Sequence, residues 1–536
     1  MTRFRFIFVM TAISCATATA TAPAQADAKE TVSLWEGCGE NKVSGVSKFM
    51  VGPTAARYLT PRATAAEGIA RCAQELLALD AAAPWQRRAA LLRSRAKFHV
   101  MANDPMAATA DLDAIAAIEQ PDAVYARSFA VSVHMLRAVA GLQAGQRDAA
   151  ATEALAAMRL RPWSETVAQF AWLVCSMRDG MPAQERARWN NLVTLDSAFA
   201  ERRALSLAQA GDWTGATVDW LRATPAPGEI GQTYVTVPGV TVRGAPGVPV
   251  KGVDVRRSVD AIVTAAMAGR LDLADPWLVS LRASVETPPV RDELVKQLGI
   301  VIDPAVQKAE LEKSMALIEM ARLAASGDFA RAAALFDATP TMPVTAVSTA
   351  MLRSIAARIG APADRALRQV LAKLDKLAVT DRGERLARLL ESGLLLDDLP
   401  AHEEVMLANP YRSAVKFLRA NGASVKLAKD GRTATISFFG NKSQRFAIRE
   451  MVLLRAAEVA IEQKQAAFRI VSSSDYVQTS TMTMNGTPVG PSTVSGNSVS
   501  MSIEFVESAA AGAVNAAEIR AALGPIYINE ASGGKS

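Results

Sequence analysis

The chain has 536 residues, half of them hydrophobic, 21% charged and 6% aromatic, enough for two to four domains with sizeable cores. Its formal charge of +6 is spread along the chain, with no basic stripe interleaved with aromatics, which argues against nucleic acid as a partner. Alanine is abundant, and an Ala-rich, aromatic-poor composition favours closely packed helices, because Ala loses no side-chain entropy in a helix.

Residues 1–26 read as a cleavable export signal. Arg3 and Arg5 precede an apolar stretch from Ile7 to about Ala22, Pro23 breaks it, and Ala24-Gln25-Ala26 supplies small residues before Asp27. The stretch is shorter than a membrane span and diluted by threonine, so no transmembrane segment is expected there or later. Loss of the signal leaves a mature charge of +4. A second reading of the same segment is a lipoprotein box, Ala12-Ile13-Ser14-Cys15, in which Cys15 would carry a lipid anchor. Export into an oxidising compartment permits disulfides. Residues 27–64 are loop-rich, with Cys38 flanked by Gly37 and Gly39, whereas Cys72 lies on the first strong helical pattern. A Cys38–Cys72 bridge is the expected pairing, although three cysteines leave other connectivities open. Cys175, in Phe170-Ala171-Trp172-Leu173-Val174-Cys175, is expected to be a buried thiol.

From about Ala65 the pattern alternates helix, short break, helix. Four breaks share a signature: Asn103-Asp104, Gly145-Gln146, Gly211-Asp212 and Gly327-Asp328. In each, Gly or Asn ends one helix in a left-handed conformation, and the Asp that follows in three of them caps the next. Ala108, Ala150, Ala216 and Ala332, five residues on, permit close helix approach. Leu112, Trp220 and Phe336 then fill the groove, Ala154 being the exception, and Pro162, Pro225 and Pro340 end the second helix. These breaks resemble tetratricopeptide repeats over residues 85–225 and again near 310–340. Leu92 and His134 stand where that repeat usually has Trp. The resemblance implies stacked hairpins with a concave binding face. Its candidate ligand-holding residues are polar positions on first helices: Arg95, His99, Arg127 and Arg137.

Residues 226–253 interrupt the helices with Pro and Gly among alternating Val and Thr, an extended loop or edge hairpin that serves as linker or docking strand. Helices resume over 254–404, with amphipathic stretches at 363–377 and 383–390. Residues 405–528 change texture. Ser424–Ala428 reads as a short strand, Thr433–Phe438 alternates as a strand, and Arg449–Gln463 reads as a helix. A long hairpin turns at Asn485-Gly486, and a last helix runs from Ala516 to Leu523 before Gly524-Pro525. Leu454-Arg455-Ala456-Ala457-Glu458, Phe468-Arg469-Ile470-Val471, the Thr/Ser-rich hairpin and Ala517-Glu518-Ile519-Arg520 together resemble small alphaproteobacterial envelope lipoproteins of unknown function. The similarity covers about 90 residues and implies an envelope location. Residues 529–536 are expected to be a disordered tail. The expected fold class is therefore mainly α, a tetratricopeptide-like helical-hairpin solenoid followed by a small α+β domain.

Catalytic chemistry is hard to find. The three histidines, His99, His134 and His402, show no metal-ligand spacing. Gly496-Asn497-Ser498-Val499-Ser500 lacks the closing Gly of a nucleophile elbow, and Gly534-Lys535-Ser536 lacks the upstream Gly of a phosphate loop. His402-Glu403-Glu404 reads as an exposed helix end. Met482, Met484 and Met501 offer thioethers that could hold Cu(I), but alternating Met more simply packs a sheet. No catalytic residue, metal or cofactor is expected. The expected function is a non-enzymatic periplasmic scaffold that binds an envelope protein or peptide. The alternative is an envelope enzyme acting on cell-wall glycan. A third reading is self-association through the Thr/Ser hairpin.

Overall fold

A computed structural model of the chain describes residue 38 and residues 64–118, 128–178, 189–223, 226–235, 248–287, 303–339, 342–360, 366–392, 411, 414–416, 419–440, 445–480, 483–484, 487–488, 493–510 and 512–528. The export signal, Cys15, Arg127, His402, the Asn485-Gly486 turn and the tail lie outside the described residues. No helix among the described residues is long and apolar enough to cross a membrane.

Helix α1 (Ala65–Leu77) opens on a capping box. The Thr64 hydroxyl accepts from the Glu67 N–H, and the Glu67 carboxylate accepts from the Thr64 N–H. That second bond, with the Thr64 hydroxyl, holds Glu67 below the usual carboxylate range. α1 lies on α2 (Trp85–Met101), and Gly68 marks the crossing, where a Cβ would fall 2.4 Å from the Phe98 ring. A disulfide joins Cys38 to Cys72, with Cα atoms 5.0 Å apart, in a small cluster with Leu91 and Phe98. It closes a separation of 34 residues, so replacing both cysteines by Ala is expected to destabilise this unit by about 3 kcal/mol. Earlier loss of hydrogen-exchange protection in α1 is the readout.

The helices that follow are α3 (Pro105–Ile118), α4 (Phe129–Gln143), α5 (Arg147–Leu160), α6 (Glu165–Ser176), α7 (Asn190–Leu195), α8 (Ser197–Gln209) and α9 (Trp213–Trp220). Strands β1 (Gly231–Val235) and β2 (Val248–Gly252) then pair antiparallel within the Pro/Gly/Val-rich segment. Six more helices come next: α10 (Val255–Met267), α11 (Leu271–Glu286), α12 (Pro304–Ala325), α13 (Phe329–Ala338), α14 (Ala346–Arg358) and α15 (Ala366–Ser392). The two amphipathic stretches at 363–377 and 383–390 belong to one helix, α15, which runs on through Gly383, because a helix-interior Gly is only weakly unfavourable.

Five hairpin turns are built alike. Asn103, Gly145, Gly211, Gly269 and Gly327 have φ of 57–85°. The next residue's N–H then bonds the carbonyl five back: Asp104 to His99, Gln146 to Gly141, Asp212 to Leu207, Arg270 to Ala265 and Asp328 to Leu323. Asp104, Asp212 and Asp328 accept from the N–H three residues on. The Gly269 turn was not among the expected breaks, although Ala274 and Leu278 keep their spacing; Arg270 stands at its N-cap without a side-chain bond, as Gln146 does after Gly145. Nothing lies within 4 Å of a Cβ at Gly211, so Gly211→Ala should lose only backbone strain, about 1–2 kcal/mol by urea denaturation. The left-handed residues are 42, 66, 58 and 58 residues apart.

First helices are buried more completely than second helices: ten residues of α4 are buried against four of α3. In the later helices α14 packs on α8, α10 and α12, so these four first helices enclose one core around Ile262, Ile318 and Met351. The earlier helices form another core, around Leu112, Leu136 and Trp189.

The C-terminal part comprises β3 (Ala414–Lys416), β4 (Arg419–Leu427), β5 (Thr433–Gly440), α16 (Arg445–Glu462), β6 (Ala467–Ser480), β7 (Thr483–Met484), β8 (Thr487–Pro488), β9 (Thr493–Val506), β10 (Val514–Asn515) and α17 (Ala516–Tyr527). Six strands form one antiparallel sheet in the order β10-β6-β9-β5-β4-β3. β4 starts earlier than the sequence suggested, and α17 runs past Gly524-Pro525 to Tyr527. Ala434, Ile436, Phe438, Val499, Met501 and Ile503 alternate inward, where they form one core with α16 and with Ile519 and Leu523 of α17. Trp163 and Leu195 of the helical region belong to that same core.

Candidate functional site

Three of the four sequence-selected polar residues are described, and the structure places them against one helix, α3. Arg95 makes a bidentate pair with Asp111, its Nε 2.9 Å and its Nη2 2.5 Å from the two carboxylate oxygens. That hydrogen-bonded carboxylate raises the Arg95 pKa further. His99 lies on the same side, with Nε2 3.9 Å from Asp111 and Nδ1 3.8 Å from Asp104. Arg137, on the next first helix, donates to the Leu112 carbonyl at 2.9 Å and pairs with Asp113 at 2.7 Å. These side chains therefore tie α2 and α4 to α3 instead of standing alone on an open face.

A regular pattern underlies these ties. Arg95, Arg137 and Arg203 each precede a left-handed turn residue by eight positions, and Asp111, Glu153 and Asp219 each follow it by eight. Arg203 and Asp219 repeat the bidentate geometry of Arg95 and Asp111, at 2.6 and 2.7 Å, and are almost fully buried. In the middle hairpin the partners are exchanged: His134 Nδ1 lies 2.6 Å from Glu153, which frees Arg137 to reach α3. An Arg sixteen residues before an acid was the sequence signal for these struts. The His134–Glu153 pair could serve as half of a proton relay, but no hydroxyl or thiol is recorded against it among the described residues.

The most elaborate charge arrangement sits where the helical region meets the sheet region. Arg161, just after α5, donates from Nε and Nη2 to Glu450 Oε2 at 3.0 and 2.7 Å, and from Nη2 to the Tyr527 hydroxyl at 2.8 Å. Tyr527 in turn donates to Glu450 Oε2 at 2.9 Å. The Arg161 side chain is 0% exposed and that of Glu450 2%. Burial opposes the Arg161 charge, but Glu450 and Tyr527 outweigh it and raise the pKa above the ordinary value. Burial and the Glu450 charge push the Tyr527 phenol well up, so it stays a donor. Glu450 Oε1 is buried without a hydrogen-bond partner. Beside this triad, Arg449 bridges Glu165 at the start of α6 and Asp475 of β6. Burial pushes the Glu165 carboxyl above its usual range against the pull of Arg449, with Asp196 and Asp475 adding to the push.

A second acid, half-buried, lies within the later helices. Asp260 of α10 accepts at 2.6 Å from Thr345, the N-cap of α14. Burial raises its pKa to about 7, against the Thr345 bond, and the nearby Asp254 and Glu201 charges add to the rise. Arg257, one turn away, is engaged by Glu201 at 2.6 Å. Among the described residues no group of three or more His, Cys, Asp or Glu is placed to hold a metal ion. Cys175 is buried outside any disulfide. The arrangement as a whole is built to fix helices and strands relative to one another. Comparison with known protein families, with curated proteins and with solved structures finds no match to this chain.

Proposed function

We propose that the chain is a non-enzymatic cell-envelope scaffold, exported to the periplasm, whose tetratricopeptide-like helical solenoid binds another protein or peptide. The observation that carries this reading is the junction. A buried ion triad is a weaker stabiliser than apolar packing of the same volume, so its presence makes sense where the relative orientation of two parts matters. A carrier that presents two surfaces at a fixed angle has that need. The Cys38–Cys72 disulfide suits an oxidising compartment, and the sequence of residues 1–26 supports export.

Binding residues cannot be carried over by repeat position, because the turn intervals differ from the 34-residue tetratricopeptide period. Arg95, His99 and Arg137 act as struts in this reading. The partner is met by exposed apolar side chains on second helices, such as Met106, Val218 and Val279. A photo-crosslinking residue placed at each of those three positions, and at His99 as the control, tests the assignment in cells. A single recurrent envelope protein trapped from the second-helix positions is the expected result. Equal trapping from His99, or none from any position, would overturn it.

A further inference from the structure

Strand β4 lies toward one edge of the C-terminal sheet. β5 pairs with it over Gly422–Leu427, but β3 pairs only with Arg419–Asn421, so among the described residues no strand lies on the far side of β4 beyond Asn421. The phase of the ladder fixes which backbone groups that side presents. Ala428 donates to the carbonyl of Thr433, the residue facing it, and in an antiparallel pair the residues that bond the neighbour alternate. Lys426, Ser424 and Gly422 therefore turn their backbone groups toward β5, whereas Ala423, Val425 and Leu427 turn theirs outward. The same three residues share the inner face with Phe438, Ile436 and Ala434, which they face across the ladder. α16 packs on β9, β5 and β6 and leaves Val425 37% and Leu427 42% exposed. One edge thus combines outward N–H and carbonyl groups with an apolar ledge formed by the same residues.

An edge of this kind accepts an extended peptide as an added strand, whose backbone supplies the bonds and whose alternate side chains supply the selectivity. Charge identifies the occupant. Lys426 stands on the outer face between Val425 and Leu427, and Lys429 and Arg432 follow in the turn to β5. All three are exposed, and none forms an ion pair among the described residues. Asp430, the acid of that turn, accepts from the Arg432 N–H, so cations remain in excess. A second copy would set this basic strand against itself, and a lysine on an edge deters such self-pairing. An acidic strand meets no such penalty. We propose that the β4 edge docks an extended, acidic segment of another protein. Alternate apolar residues of that segment cover Val425 and Leu427, and the acids between them meet Lys426. This surface is separate from the second helices and stands whether or not those bind a protein.

The test titrates the full mature chain, by fluorescence anisotropy, into a short labelled peptide of alternating Val and Glu, and into the same peptide with Lys in place of Glu. Saturable binding of the Val/Glu peptide alone is the expected result. Val425→Pro removes the central outward N–H and spares the β5 ladder, so the variant should keep its melting temperature and bind about tenfold more weakly. The double variant Lys426→Glu, Lys429→Glu leaves the backbone unchanged and should prefer the Val/Lys peptide; it decides the matter by itself if Val425→Pro unfolds. No binding of the Val/Glu peptide, equal binding of both peptides, or undiminished binding by folded Val425→Pro overturns the proposal. So does hydrogen exchange that finds Ala423, Val425 and Leu427 already protected in the free chain, which would mean that the chain covers this edge itself. A concentration-dependent dimer lost in Val425→Pro would give the edge to a second copy and overturn it equally.

Discussion

Replacing Arg161 by Met is expected to destabilise the folded chain by about 3–5 kcal/mol, and Glu450→Leu by a similar amount. Each change leaves its partner charged and enclosed, since both side chains are at most 2% exposed. Glu450 would lose both guanidinium bonds and keep only the Tyr527 hydroxyl, with Oε1 already unpartnered. The double variant Arg161→Met, Glu450→Leu should recover much of the loss, because two apolar side chains fill the space with no charge left to solvate. Urea denaturation of the four proteins gives this cycle directly. Additive losses in the double variant would mean that the two side chains act independently. Hydrogen exchange adds a structural readout. The single variants should lose protection first in α16 and α6, whose ends the triad and the Arg449 bridge pin together.

Stability should also fall as pH rises from about 4 to about 7, through Asp260. The unfolded carboxyl titrates near 3.8 and the folded one near 7. Well below pH 3.8 the group is neutral in both states and contributes nothing. Between the two values the folded chain holds a proton that the unfolded chain has released, so each pH unit removes about 1.4 kcal/mol. The loss approaches about 4 kcal/mol above pH 7 and then levels off. The charged groups around it, Glu201, Asp254 and the Glu201-engaged Arg257, supply no free cation to reverse the sign. Asp260→Asn keeps an acceptor for Thr345 and removes the ionisation. Its melting temperature should match the native chain at pH 4 and exceed it at pH 8. A variant equally destabilised at both values would mean that Asp260 is ionised and paired in the folded chain.

Much of the local architecture was legible residue by residue. The Asn103, Gly145, Gly211 and Gly327 turns follow from one left-handed residue and, in three of them, a capping Asp. The alternation of Ala434, Ile436 and Phe438 marks β5. The Gly269 turn was not among the expected breaks although Ala274 and Leu278 carry their spacing; the missing Asp does not account for it, since Gly145-Gln146 lacks one too. The struts were partly legible: Arg95 and Arg137 stand out as polar residues on first helices, but nothing local marks Asp111 and Asp113 as their partners. Taken singly, a polar side chain on a helix reads as a ligand contact. Only its distance to Asp111 or Asp113 reveals a tie.

By itself, then, the sequence determined the mainly helical class, the small α+β region at the end and most of the turns. These depend on interactions within a few residues, where propensity, capping and periodicity act. Tertiary structure alone decided that Arg161 meets Glu450 across 289 residues, and that Asp260 closes α10 onto the cap of α14. It also decided that β4 beyond Asn421 lies at the edge of the sheet. Those features depend on burial and on the pairing of distant segments, and a charged residue carries no local mark of whether water or a partner will surround it.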